Sequence, residues 1–407
     1  MKDKQPVYII GAGVSGLIAA YELEQAGHSP VILEQSESVG GRVKTLDEKG
    51  FPLDLGFQVL LSAYPLAKQY LDMDALELRK LESGALIYAD GKSYRIGDPL
   101  RNLGVLIPTM LADIGSISDK LKILKLNQRL KNKSIAEIFE TPESTTLEYL
   151  QDFGFSSKII ARFFKPFFAG IFLEPELRTS SRMFEFVYRM FGEGYATIPK
   201  AGIGAISEQL KTKLKNTEFR FNTEVKTVTS NHISLNSGEQ LDHNGVILAS
   251  NAASLVLGQE IPNIDWKSCM CIYFEVDQTN IPKETIALVS DAGKYSNNLY
   301  AYKDLKTGKK ILSVTVLEYS EVSKDELIES VVAEVKQYTG AQRVNYIQHY
   351  DIVQALPDIH DLKMTMELDK TQVMESVYLA GDAQLNGSLN AAMEAGRIAA
   401  QALLSNS

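Results

Sequence analysis

The tightest constraint on this chain is a glycine spacing close to its start. Val7-Tyr8-Ile9-Ile10 is a run of β-branched and aromatic residues that reads as a buried strand. Gly11-Ala12-Gly13-Val14-Ser15-Gly16 follows at once, and Leu17 to Gln25 carries helical spacing. A strand, G-x-G-x-x-G and a helix in that order make a phosphate-binding turn. Gly11 allows the tight turn, Gly13 lets backbone approach a pyrophosphate, and Gly16 lets helix and strand pack closely. Ser15 lies in the first turn, whose N–H groups and dipole face the phosphate charge. Ala26-Gly27-His28 closes the helix, with His28 a structural turn residue. Val31-Ile32-Leu33 is a second strand, and Glu34 at its end is placed to accept from ribose hydroxyls.

Val39-Gly40-Gly41-Arg42-Val43 comes next. Two glycines and an arginine suit close backbone approach and a charge-assisted bond to phosphate. With these residues the sequence resembles the flavin-containing amine oxidase superfamily, which also holds protoporphyrinogen oxidases and phytoene desaturases. The resemblance implies FAD rather than NAD, with Gly40, Gly41 and Arg42 beside its pyrophosphate. Three later stretches extend the likeness. Phe51 to Gln58 contains Asp54-Leu55-Gly56, similar to a D-x-G element of the superfamily, which implies that Gly56 and Phe57 lie near the isoalloxazine ring. Thr223 to Val228 is similar to the strand whose backbone touches the adenine, a contact that falls on Val225. Ser376 to Asp382 with Gly387 to Ala400 resembles the second FAD motif. That motif implies Gly381 and Asp382 at the ribityl chain, and Leu389 and Asn390 at a helix start facing the flavin pyrimidine. A helix dipole there favours the negative charge of reduced flavin.

The bulk numbers fit this reading. A chain of 407 residues suggests two or three domains, with a core able to enclose a cofactor. The formal net charge of -9 argues against a nucleic-acid partner. Cys269 and Cys271 allow neither a disulfide framework nor a zinc pattern, and read as small core hydrophobes in a reducing compartment. No metal site is expected. No signal peptide is expected before Val7, and no apolar run reaches membrane-spanning length. The expectation is a cytoplasmic protein, with peripheral membrane contact left open. That opening rests on the lysine-rich amphipathic stretch Asp119 to Lys133, whose leading interpretation is a solvated helix face.

The fold class expected is α/β: a Rossmann-like FAD-binding domain with an interleaved α+β substrate domain. Residues 1–62, 196–255 and 370–407 make the first, and 63–195 and 256–369 the second. Leu100 to Ile114, Ser118 to Leu130, Ser134 to Phe139 and Thr146 to Phe153 read as helices, and Gly84 to Tyr94 as a strand pair turning at Asp90-Gly91. Met270 to Val276, Thr285 to Val289, Ile311 to Leu317 and Asn345 to Ala355 read as strands, and Lys324 to Tyr338 as a helix. Ile160 to Phe191 is rich in phenylalanine. Core packing is the leading reading, and an apolar substrate tunnel walled by Phe163, Phe167 and Phe168 the alternative.

No Ser-His-Asp or metal constellation is visible, and no protein side chain is assigned as the catalyst. The resemblance implies that chemistry resides on flavin N5, which takes hydride from CH–CH or CH–NH of an apolar substrate and passes electrons to oxygen or a quinone. The C-terminal segment has no cysteine to match the covalent-flavin cysteine of monoamine oxidases, and no paired-aromatic cage is evident, the lone Trp266 lying far upstream. The resemblance implies non-covalent FAD, and Gly381-Asp382 with the final helix look closer to protoporphyrinogen oxidases and phytoene desaturases. A flavin-dependent isomerase, an amine oxidase and a non-catalytic binder of the same fold are the alternatives.

Overall fold

Three distant stretches of chain build one parallel sheet. The computed structural model describes residues 6–98, 101, 106–250, 255–257, 264–317, 319 and 321–406. In it the strands Glu218–Arg220, Val31–Leu33, Val7–Ile10, Gly245–Leu248 and Val377–Leu379 lie side by side in that order, all parallel. Gln372–Met374 closes the edge antiparallel. Val7–Ile10, Val31–Leu33 and Gly245–Leu248 are buried along their whole length, as the unbroken apolar runs require of a sheet covered on both faces. Tyr8 and Ile10 point to one side, into a core shared with the small sheet Val225–Val228, His232–Leu235 and Gln240–Asp242. Val7 and Ile9 point to the other, where helices Val14–Gln25 and Leu389–Ser405 pack. Those two helices touch so closely that a Cβ on Gly396 would collide with the Ser15 carbonyl.

The second unit is a seven-stranded sheet in the order Val344–Asp358, Asp265–Val276, Lys310–Val316, Ser296–Lys303, Ile286–Val289, Gly84–Ala89 and Lys92–Gly97. Helix Lys324–Thr339 covers one face through Leu327, Val331 and Val335. The strand Ser296–Lys303 was not expected from sequence. It opens with Ser-Asn-Asn, residues disfavoured in strands, and becomes a strand because neighbours on both sides pair with it. Of the expected helix Leu100 to Ile114, Leu106–Leu111 is helical, whereas Leu100 and residues 102–105 lie outside the described residues.

Helices fill residues 106–193 around a phenylalanine cluster. Phe164, Phe168, Phe172, Phe184 and Phe186 are fully buried, and the rings of Phe168 and Phe184 lie 4.7 Å apart. Phe163 and Phe167 are half-buried and pack against the cluster containing Ala112, Ile114 and Ile286. Phe168 therefore serves packing, and Phe163 and Phe167 stack on each other with ring centroids 5.6 Å apart.

One carboxylate holds this region to its neighbours. Asp119 has no exposed surface and accepts from the Ser116 N–H and hydroxyl (2.7 Å each), the Ser156 N–H (2.8 Å) and the Ser156 hydroxyl (2.7 Å). Burial works against the charged form, but the bonds from Ser156 and Ser116 outweigh it and bring the pKa down to about 2. The folded value lies below the unfolded value of about 3.9. Its stabilisation is therefore complete above about pH 4 and is lost as pH falls toward 2. Asp119→Asn is expected to lower unfolding free energy by about 2 kcal/mol at neutral pH. Urea unfolding followed by circular dichroism should show that gap steady from pH 7 to 5 and closing below 4. A gap that stays constant down to pH 3 contradicts the assignment.

Candidate cofactor site

The glycine turn closes on itself through backbone bonds. The Gly11 N–H donates to the Leu33 carbonyl (2.9 Å), and the Gly40 N–H to the Ala12 carbonyl (2.9 Å). Gly13 and Gly40 form a parallel bridge, so the second glycine segment lies along the first. Gly11 needs its freedom: its φ is +102°, and it sits under the Ala249 carbonyl. A Cβ on Gly16 would strike the Gly11 carbonyl oxygen, so Gly16 is demanded by packing. Gly13 differs from both. Its φ of −71° suits any residue, and a Cβ there would meet no protein atom within 4 Å. Neither conformation nor packing accounts for glycine at this position, whereas a ligand lying over the turn does.

Glu34 is buried at the end of its strand. Its Oε2 accepts from the Ala12 N–H (2.7 Å) and its Oε1 from the Ser36 N–H (2.9 Å). Both oxygens are thereby aimed, and each keeps a further lone pair for a hydroxyl donor. Segment 222–225 runs alongside, with the Thr223 N–H donating to the Glu34 carbonyl (2.9 Å). Val225 is buried at the start of its strand, opposite Leu235.

The two ends of the sequence meet next to this turn. Arg42 forms an ion pair with Asp382, donates to the Ala355 carbonyl (3.2 Å), and lies 5.1 Å above the Trp266 ring. Gly381 enters the Asp382 turn at φ +124°. Trp266 Nε1 is buried and has no partner among the described residues. Sequence reading set Trp266 aside as remote. It is brought here because its strand pairs with Val344–Asp358, Trp266 lying opposite Pro357. The terminal helix starts at Leu389 and is capped by the Ser388 hydroxyl, which accepts from the Ala391 N–H (3.0 Å). Asn390 Oδ1 accepts from the Leu66 N–H (3.1 Å), tying this helix start to Pro65–Tyr70. An unpartnered indole N–H, the open space above Gly13 and the two aimed oxygens of Glu34 together fit a bound dinucleotide.

Gly56 (φ +86°) turns the chain into Phe57, whose ring lies 5.3 Å from that of Tyr300. Both border a cavity of about 140 Å³ that also includes Asp54, Arg79, Lys200, Tyr273 and Tyr302. Asp54 accepts from the Thr45 hydroxyl (2.6 Å) and the Ile203 N–H (2.9 Å), and burial pushes its pKa up despite these bonds. The Arg79 guanidinium lies over the Tyr302 ring at 5.8 Å, and its Nε is buried without a partner among the described residues. Neither Phe163, Phe167 nor Phe168 borders this cavity. Burial raises Cys269 to about 12 and Cys271 to about 11, so both remain thiols at neutral pH. No group of three metal-ligating side chains occurs among the described residues.

Residues 14–404 match the family model of flavin-containing amine oxidoreductases. This chain belongs to that family. An L-amino-acid oxidase of Sistrurus catenatus edwardsii is 31% identical over 150 residues, which are 36% of this chain and 27% of that protein. The match thus spans under a third of the relative's length. Among solved structures, a candidate protoporphyrinogen oxidase from Exiguobacterium sp. 255-15 has a TM-score of 0.72 at 18% identity, over 100% of both chains. The cyclohexylamine oxidase of Brevibacterium oxydans IH-35A has a TM-score of 0.69 at 14% identity, over 99% of each. Both share the fold of this flavin-family chain. A flavin is the cofactor its family membership implies, and the residues around Gly13, Glu34 and Arg42 are those that would hold it.

Proposed function

We propose that this chain is an FAD-dependent oxidoreductase that binds FAD without a covalent bond and oxidises CH–CH or CH–NH in a largely apolar small molecule. The space above Gly13, left open beside a fixed Glu34, carries the reading. A bound flavin would supply a hydride acceptor at N5, with oxygen or a quinone as the final electron acceptor. This chain's residues supply binding and orientation. Glu34 would hold the adenosine ribose, Gly13, Gly40, Gly41 and Arg42 the pyrophosphate, and Asp382 the ribityl chain. Phe57, Tyr273, Tyr300 and Tyr302 offer an aromatic wall for substrate, with the deeply buried tyrosines kept neutral. Both cysteines lie buried in the substrate sheet, which supports a non-covalent flavin.

An amine substrate is the second reading, favoured by the partial likeness to L-amino-acid oxidases. The cavity is lined by Arg79, Lys200, Lys303 and Lys306 and by Asp54 and Asp304, with Lys200 paired to Glu77 and Lys306 to Asp47, so its charge does not by itself separate the two readings. Anaerobic titration of the flavin-loaded protein decides between them. Lipophilic reduced compounds, such as porphyrinogens or polyenes, are expected to bleach the flavin absorbance, and spermine or simple monoamines to leave it unchanged. Rapid bleaching by a polyamine would return the chain to amine oxidation. Turnover without net oxidation of substrate would mark an isomerase.

A further inference from the structure

The helices Leu106–Leu111 and Ile117–Lys131 leave an apolar surface open to solvent. Six of the twelve large apolar side chains exposed among the described residues fall on these two helices: Ile107, Met110, Leu111, Ile117, Leu121 and Leu124, each more than half exposed. On the longer helix, Ile117, Leu121 and Leu124 recur at i, i+4 and i+7. At about 100° per residue they form one stripe along its outer side. The inner side is used up, with Leu126 and Leu130 buried in the main core.

Charge flanks the stripe. Lys120 and Lys131 fall on one side of it, and Lys122, Lys125 and Arg129 on the other, by the same angular count. Residues 117–133 carry six cations and one carboxylate, Asp119, in a chain whose net charge is -9. Asp119 is buried and points inward. Lys120 reaches the Met110 carbonyl (2.6 Å) and Lys122 the Gly154 carbonyl, neutral groups that leave both charges uncompensated. Lys125 and Arg129 lie over the Phe153 ring. Arg129 is also within 4.0 Å of Glu185, which Lys133 neutralises, and the nearby Asp113 is engaged by Lys158 and Arg162. The Lys120 bond also holds the two helices together, so Met110 and the stripe form one surface.

We infer that this surface docks on an anionic lipid bilayer, with the apolar stripe seated at the acyl boundary and the lysines at the headgroups. Apolar side chains between lysines whose stems lie along the surface have the pattern of an interfacial helix. A local positive field on an otherwise acidic protein provides the complementarity to anionic lipid. This inference does not depend on which substrate is oxidised, and the flavin content of each variant reports the site separately.

Full-length flavin-loaded protein is floated with vesicles of phosphatidylglycerol and phosphatidylcholine, or of phosphatidylcholine alone. Co-flotation with the anionic vesicles is expected, and its loss at about 0.5 M salt, where screening shortens the reach of the charges to roughly 4 Å. The double substitution L121E/L124E is expected to reduce binding by at least about tenfold with flavin content and unfolding profile unchanged. K120Q/K125Q/K131Q is expected to weaken it less and to remove the salt dependence. Absence of flotation, equal flotation with neutral vesicles, or undiminished binding by L121E/L124E would overturn the inference. So would a concentration-dependent dimer that the same variant abolishes while vesicles capture nothing.

Discussion

Gly13→Ala is expected to bind FAD about tenfold to hundredfold more weakly while its apoprotein unfolds like the wild type. The new methyl meets no protein atom and the backbone there is already in a conformation open to alanine. Any penalty must come from something the protein does not itself contain. A methyl pressed against a close-packed ligand costs about 1–3 kcal/mol, which is the stated loss of affinity. Gly16→Ala provides the contrast. Its methyl would collide with the Gly11 carbonyl, so the strand–helix junction must move and the apoprotein itself should be destabilised. FAD titration of the two apoproteins, with urea unfolding of each, separates ligand contact from packing. Equal loss of stability in both variants, or full FAD affinity in Gly13→Ala, would remove the ligand from above the turn.

The second large effect is an asymmetry between Arg42 and Asp382. The aspartate is nearly buried and the arginine about one-third exposed. Arg42→Ala strands a buried carboxylate, a loss of roughly 2–3 kcal/mol in the apoprotein, and also removes a phosphate ligand. Asp382→Ala frees an arginine that still has the Ala355 carbonyl, the Trp266 face and water. Its apoprotein should lose under about 1 kcal/mol, although its FAD affinity falls. Adding Asp382→Ala to Arg42→Ala should therefore restore part of the lost stability. If the double variant is no more stable than Arg42→Ala alone, the pair does not hold the two ends of the chain together. Glu34→Ala should also weaken FAD by tenfold to hundredfold, a charge-assisted bond being worth about 1.5–3 kcal/mol, and Glu34→Gln less.

How much of this was readable beforehand differs by element. The nucleotide turn was legible because its causes are local: a glycine spacing, one apolar run before it and one helix after it. Helix Lys324–Thr339 was legible from its local pattern as well; its capping pair Ser323 and Glu326 is equally local but emerges only in the structure. Ser296–Lys303 was hidden because its identity depends on neighbours supplied by other stretches of chain. The contact of Arg42 with Asp382 spans 340 positions and no spacing rule reaches it. Trp266 was discounted for its distance along the chain, when its strand register is what brings it over Arg42. The phenylalanines advertised an apolar interior but not its depth, and burial made Phe168 core. The aromatic wall of the cavity comes instead from tyrosines on alternate positions of one strand of the seven-stranded sheet, Tyr300 and Tyr302, scattered singly where no cluster marks them.

The central claim is that this fold holds FAD through non-covalent contacts alone. The direct measurement is the visible spectrum of the purified protein, followed by acid precipitation and assay of flavin in pellet and supernatant. The account predicts a yellow protein with about one FAD per chain, all of it released to the supernatant and replaceable on reconstitution. Flavin retained in the precipitate, or a colourless protein that cannot be loaded with FAD, would contradict it.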